Sequence, residues 1–337
     1  MVSTIDSPEY TEDTFISRLL TKVPTPAGEG FAPGDDAAII ELEGVRFLGC
    51  ADGLIEGVHF DLGTCSPADA GWKSLAVNLS DIAAMGGTPT SALVVLEARL
   101  GEADGESAAQ AAYEGLGECA RSFGVVISGG DVVSADRLAL SVTVLGELPA
   151  VGEALLRSGA RPGDLVCVTG RLGEAAMALA TAIPSGTDHP WAERLHRPVP
   201  RLEEGRAIAA AGGSAAIDIS DGLLLDLSRL CCASGVGARL DTAAVPRPAA
   251  AEWQGSGAQR VAPEQLEKAA LGGGDDYELC FTIREPLLTR LDELWPEYGA
   301  DYCVIGEIFE GSGIEGPDGR LDPAGWDHVA SGRRSLE

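Results

Sequence analysis

Two periods of apolar and polar residues alternate along this chain. Short apolar runs at Ala37–Leu42, Arg46–Ala51, Ser91–Glu97, Val125–Ser128 and Leu138–Leu145 predict strands, as do Asp164–Thr169, Ala216–Ile219, Glu278–Ile283 and Cys303–Ile308. Between them the period lengthens. Ser66-Pro67-Ala68-Asp69 announces a helix, with Ser as N-cap and Pro at the first helical position, and Gly86-Gly87 ends it after Met85. Gly105–Phe123, a Gly-flanked segment from Gly173 and Leu223–Cys232 predict further helices, whereas residues 1–13 read as a loose polar tail. Mixed text bracketed by Pro149 and Pro162 marks a boundary, dividing the chain into domains at 14–150 and 151–337. Strands and helices alternate in both, which predicts α/β or α+β layering.

Composition narrows the function. The 337 residues hold 24 Lys and Arg against 52 Asp and Glu, a formal charge of −28. Nucleic acid and anionic membrane both require clustered positive charge, so neither is expected as a partner. No apolar run is long enough to cross a bilayer, and the polar, acidic N-terminus is unlike a signal peptide, so a cytoplasmic protein is expected. Eight scattered cysteines without a Cys-x-x-Cys pair fit reduced thiols better than zinc or disulfides.

Several acids share one setting, glycine-rich text beside a strand. These are Gly34-Asp35-Asp36, Ala51-Asp52-Gly53, Gly129-Gly130-Asp131, Asp218-Ile219-Ser220-Asp221-Gly222 and Gly272-Gly273-Gly274-Asp275-Asp276. Any one of them alone is equally an ordinary Asp-Gly turn. Converging carboxylates repel one another unless cations sit between them, and hard oxygen donors select Mg²⁺ or Ca²⁺ over zinc. Within the first long helix Ser74, Asn78 and Asp81 fall on one stripe of an otherwise apolar surface, so Asp81 meets either a cavity or a cation unless the stripe simply faces solvent. No Walker A loop, Gly-x-Ser-x-Gly elbow or HExxH is present, and Gly115-Leu116-Gly117 lies inside a predicted helix. A magnesium-rich phosphate site built from an unfamiliar set of loops is what remains.

Taken together, GDDAAII (34–40), ADGLIEGVHF (51–60), KSLAVNLSDIAAMGGTP (73–89), SGGDVV (128–133), LLRSGARPGD (155–164), AIDISDGLLLDL (216–227), GGGDDYELCF (272–281) and GWDHVA (325–330) resemble the thiamine-monophosphate kinase family. That family lies within the superfamily of aminoimidazole ribonucleotide synthetase and selenophosphate synthetase. The resemblance implies a two-domain α/β (α+β) fold whose N-terminal domain closes a strand barrel in a homodimer. It implies ATP-dependent phosphorylation of thiamine monophosphate to thiamine diphosphate, with several Mg²⁺ ions and no protein nucleophile. It also implies Asp35, Asp52, Asp81, Asp131, Asp218 and Asp221 as metal ligands. Tyr113, Gly130, Asp131, Arg157 and Ser220 would hold ATP, and His59, Asp275 and Trp326 the substrate. Relatives place hydroxyl residues where this chain has Cys50-Ala51, and Glu where it has Asp275.

Overall fold

The computed structural model describes residues 11–26, 33–150, 152–249 and 261–328. Strands β1 (Ala38–Leu42), β2 (Val45–Ile55), β3 (Thr88–Ala98), β4 (Val126–Ser134) and β5 (Ala139–Glu147) form the first sheet, in the order β1-β2-β5-β3-β4. β3 and β4 run parallel, joined by helix α3 (Ala103–Phe123), and the other pairings are antiparallel. The second sheet is seven-stranded. It holds β6 (Asp164–Thr169), β7 (Ala215–Ile219), β8 (Gly237–Leu240), β9 (Glu278–Arg284), β10 (Tyr302–Phe309), β11 (Gly313–Gly316) and β12 (Gly319–Leu321), in the order β12-β11-β8-β10-β6-β9-β7. Its one parallel pairing is β11 with β8, so the alternation of helices and strands yields sheets that are mainly antiparallel.

Helix α2 (Pro67–Ala84) is the shared core element. Ser66 caps it by accepting from the Asp69 amide, and Pro67 occupies the first turn, as its sequence predicts. A helix apolar on nearly every side must be buried on nearly every side, and α2 packs on β2, β3, β5 and α3. It also packs on β7, β9, α5 (Pro190–His196) and α6 (Leu202–Ala211). One apolar cluster therefore runs from Leu48, Leu75 and Val142 through to Ile208, Leu279 and Phe281. Against α3 the approach is backbone to backbone. A Cβ on Gly71 would lie 1.8 Å from the Ala112 carbonyl oxygen, and one on Gly115 would lie 1.8 Å from that of Ala68. Gly115 of the predicted helix thus serves close packing, whereas Gly117 meets only the Arg121 side chain.

Three expectations change. Residues 11–13 are ordered: Thr11 caps α1 (Glu12–Leu20) in a capping box with Thr14, while residues 1–10 lie outside the described set. The strands at Val125–Ser128 and Arg46–Ala51 do not stop before their acids, since β4 continues through Asp131 to Ser134 and β2 through Asp52 to Ile55. β4 can continue because Gly130 has no Cβ; one would meet the Val94 carbonyl oxygen at 1.8 Å. The remaining helices are α4 (Glu174–Ala180), α7 (Leu223–Ser234), α8 (Pro263–Gly272) and α9 (Leu288–Leu294).

Candidate active site

Around the C-terminal half of α2, acids from four segments converge. Asp36 precedes β1, Asp81 lies in the last turn of α2, and Asp218 lies in β7; carboxylate oxygens of these three fall within 4.8 Å of one another. Asp218 is buried and accepts a 2.6 Å hydrogen bond from the Ser80 hydroxyl. Burial, followed by the charges of Asp52, Asp218 and Asp36, pushes the Asp81 carboxyl well above the usual carboxylate range. Burial and then Asp36 do the same to Asp218. Asp52 stands at the rim of the cluster; partial withdrawal from water raises it first, then Asp36 and Asp221.

This donor set fits a hard divalent cation. It consists of carboxylate oxygens alone, Asp81 and Asp218 resist ionisation, and Asp36 Oδ2 is buried with no hydrogen-bond partner. Arg157 supplies one fixed positive charge, its Nη2 2.6 Å from Asp36 Oδ1.

The acid of the 35–36 pair that joins the cluster is Asp36. Asp35 instead accepts the Arg157 backbone amide at 2.7 Å. Asp221 is ion-paired with Arg229 at 2.5 Å, and Arg229 also bonds Asp226 and reaches Asp13 of α1. Burial and then Asp221 push the Asp226 carboxyl up to about 7. Asp131 and Gly130 are not drawn in. They lie on the exposed edge strand β4, and cross-strand register aligns Gly130 with Val94, Val142 and Asp52 in turn. Three strand spacings, roughly 14 Å on a flat sheet, separate that edge from Asp52. Tyr113 is partly exposed on α3. Ser220 contributes its carbonyl, which accepts the Asp275 amide at 2.8 Å and ties the two glycine-rich loops together.

A second group of residues adjoins the acids. Trp326 donates its amide to the Asp221 carbonyl at 2.9 Å, and its ring stands perpendicular to that of His328 at 5.8 Å. The His328 ring is 5.3 Å from that of His59. Burial and then His328 lower the His59 pKa, against the opposing pull of Asp275. His59 Nδ1 accepts the Ile55 amide, so its ring orientation is fixed. His328 thus lies between His59 and Trp326, and Asp275 is close enough for its charge to act on His59. The structure adds Lys73 and Tyr277, both bonded to Asp275. A lone lysine in an apolar helix carries no such signal, and it lies off the legible stripe of Ser74, Asn78 and Asp81. Ser74 and Asn78 of that stripe turn inward and bond the helix backbone, and Asn78 Oδ1 also accepts the Asp52 amide.

At the level of whole chains, the N-terminal domain of AIR synthase related protein matches residues 34–148, and its C-terminal domain matches residues 161–318. Thiamine-monophosphate kinase of Salmonella typhimurium is 38% identical over 310 residues, 88% of this chain and 91% of that protein. The Bacillus subtilis thiamine-monophosphate kinase is 39% identical over 260 residues, covering 74% and 76%. The solved structure of AaThiL complexed with AMPPCP and TMP superposes with a TM-score of 0.78 at 28% identity, covering 97% of this chain and 99% of that one.

Proposed function

The chain belongs to the thiamine-monophosphate kinases of the AIR synthase related family, and on that premise we propose that it transfers the γ-phosphate of ATP directly to the phosphate of thiamine monophosphate. The products are ADP and thiamine diphosphate. The observation that carries this reading is the adjacency of two unlike sites. An all-carboxylate cluster with one clamped arginine lies beside a group of aromatic rings and a carboxylate, since the segment that follows Asp218 accepts the Asp275 amide at the Ser220 carbonyl and the Trp326 amide at the Asp221 carbonyl. The relative bound to AMPPCP and TMP holds an ATP analogue together with the monophosphate, which supports the same pair of substrates here.

Asp36, Asp81 and Asp218, with Asp52 at the rim, would hold Mg²⁺, and the bound metal would offset the charge of the two phosphate groups. Phosphoryl transfer requires alignment and charge neutralisation more than covalent help, so an acceptor phosphate oxygen can attack the γ-phosphorus in line while ADP leaves. Arg157 would pass from Asp36 to a nucleotide phosphate, a move suited to a guanidinium that is always charged. Asp221 would become available as a further ligand when Arg229 turns to Asp226 alone. Trp326 would stack on the thiamine ring and Asp275 would accept from it. Two copies pairing through the first sheet would cover Leu93, Val126, Val132 and Val133, which are exposed in the single chain. Asp131 and Gly130 of β4, with Tyr113 of α3, belong to the nucleotide-binding set in this reading.

The deciding experiment incubates purified protein with ATP, Mg²⁺ and thiamine monophosphate and resolves the products chromatographically. Stoichiometric ADP and thiamine diphosphate are expected. ATP binding without thiamine diphosphate would overturn the proposal in favour of a nucleotide-binding regulator.

A further inference from the structure

We infer that Lys73 is a positioning residue for the ring-binding pocket, acting through Asp275 rather than on the substrate. The inference rests on the kinase reading above. The Lys73 side chain is 4% exposed, and its Nζ lies 2.8 Å from Asp275 Oδ1. Tyr277 donates its hydroxyl to the same oxygen at 3.1 Å, and Nζ sits 5.9 Å from the centre of the Tyr277 ring. Both protein bonds therefore fall on Oδ1, leaving Oδ2 to a ligand.

The backbone beneath this carboxylate is strained. Asp275 has φ +69° and Tyr277 φ +50°, a left-handed region that side chains with a Cβ rarely occupy. Three contacts over-determine the loop. The Asp275 and Tyr277 amides bond the Ser220 and Ile219 carbonyls, and buried Asp276 accepts the Gly173 amide on both oxygens. Lys73 then fixes the side chain that this backbone presents.

The position of Lys73 on α2 carries the consequence. Lys73 and Ser80 are seven residues apart, so they share one helix face about 10 Å from each other. Ser80 bonds Asp218 of the acid cluster, and Lys73 bonds Asp275 of the ring pocket. One rigid helix thus sets the spacing between the phosphate-facing and ring-facing acids. Because Lys73 neutralises Asp275, that carboxylate recognises an amino-bearing heteroaromatic ring by the direction of a hydrogen bond, and less by bulk charge.

The test compares Lys73→Met, Asp275→Asn and the double variant with the wild-type enzyme, measuring KM for thiamine monophosphate and for ATP. Lys73→Met is expected to raise KM for thiamine monophosphate about tenfold or more, with KM for ATP changed less than about twofold. In the Asp275→Asn background, removing Lys73 is expected to change neither constant by more than about twofold, since the residue it positions has gone. A tenfold further rise in that background would make Lys73 a direct substrate contact and overturn the inference. Equal rises for both substrates would also overturn it, indicating loosened packing. If Lys73→Met alone fails to fold with Asp275 left unpaired, the Asp275→Asn pair still decides, because its double variant carries no orphaned charge and its single variant leaves an amide oxygen to accept from the Lys73 ammonium. A wild-type enzyme that makes no thiamine diphosphate would instead sink the kinase reading itself.

Discussion

Asp81→Asn separates the cost of the acid cluster from its use. The substitution keeps the side-chain shape and removes one charge from three whose oxygens lie within 4.8 Å. At that distance each fully ionised pair repels by about 3.5 kcal/mol at an effective dielectric of 20. Proton uptake limits the cost, because burial, then Asp52, Asp218 and Asp36, hold Asp81 well above the usual carboxylate range. A carboxyl raised in the native state binds a proton that the unfolded chain has released. Its contribution to stability is therefore full below the ordinary pKa near 3.9 and is lost as pH climbs towards the raised value. At pH 7 in EDTA the variant should be more stable than wild type by about 1–3 kcal/mol, raising the melting temperature by about 2–4 °C per kcal/mol. Its metal-free stability should also depend less on pH between 4 and 7. With Mg²⁺ at a hundred times its Kd the wild type should gain about 2.7 kcal/mol, and the variant less than half of that, with turnover reduced at least about a hundredfold. Calorimetry in EDTA and in Mg²⁺ measures all of these except turnover. A variant that melts below wild type in EDTA, or gains equally from Mg²⁺, would refute the assignment of Asp81 to a cation site.

Trp326→Ala should raise KM for thiamine monophosphate about 2–30-fold, the equivalent of a stacking energy near 0.5–2 kcal/mol, while KM for ATP holds; parallel rises would mean the tail merely packs. Glu278→Gln should cost about 3–5 kcal/mol in urea unfolding, because buried Arg201, bonded to Glu278 through Nε at 2.7 Å and through Nη2, loses its counter-ion; a change under 1 kcal/mol would show that Glu204, 3.9 Å from Arg201, compensates. Native titration with a thiol reagent should modify Cys232 first, since it is exposed while Cys303 is half-buried and the other six cysteines are buried; rapid labelling of Cys50 would show that β2 opens away from α2.

What the sequence made legible, and what it hid, follows from how local each cause is. Helix α2 was plain because Ser66, Pro67 and Gly86 act on their own neighbours. Helix α1 was equally local, with Thr11 and Thr14 in a capping box and Glu12 and Asp13 in the first turn; its apolar spacing at Phe15, Ile16, Leu19 and Leu20 follows directly on a polar, acidic stretch that read as tail. Asp35 and Asp36 are indistinguishable in sequence. The direction in which the chain turns into β1, and the amide of Arg157 from the other half, decide between them. The end of β4 was misplaced because glycines normally interrupt strands, whereas Gly130 permits one by letting β3 approach. Lys73, Tyr277 and His328 became visible only once Asp275 and His59 had been brought to them from elsewhere in the chain.

The first described helix meets the last described residues. The Glu12 amide bonds Asp327, and the His328 amide bonds Glu12, a contact 316 residues apart in sequence. Contacts of such separation close nearly the longest loop open to the described residues, and folding should reach them after local and sheet contacts have formed. Trp326 and His328 ride on that closure, so the ring pocket is the last part of the molecule to assemble. During refolding, helical circular dichroism should return before the capacity to bind thiamine monophosphate does. Newly made chains would then pass through an interval in which the acid cluster is already built while its acceptor has nowhere to dock.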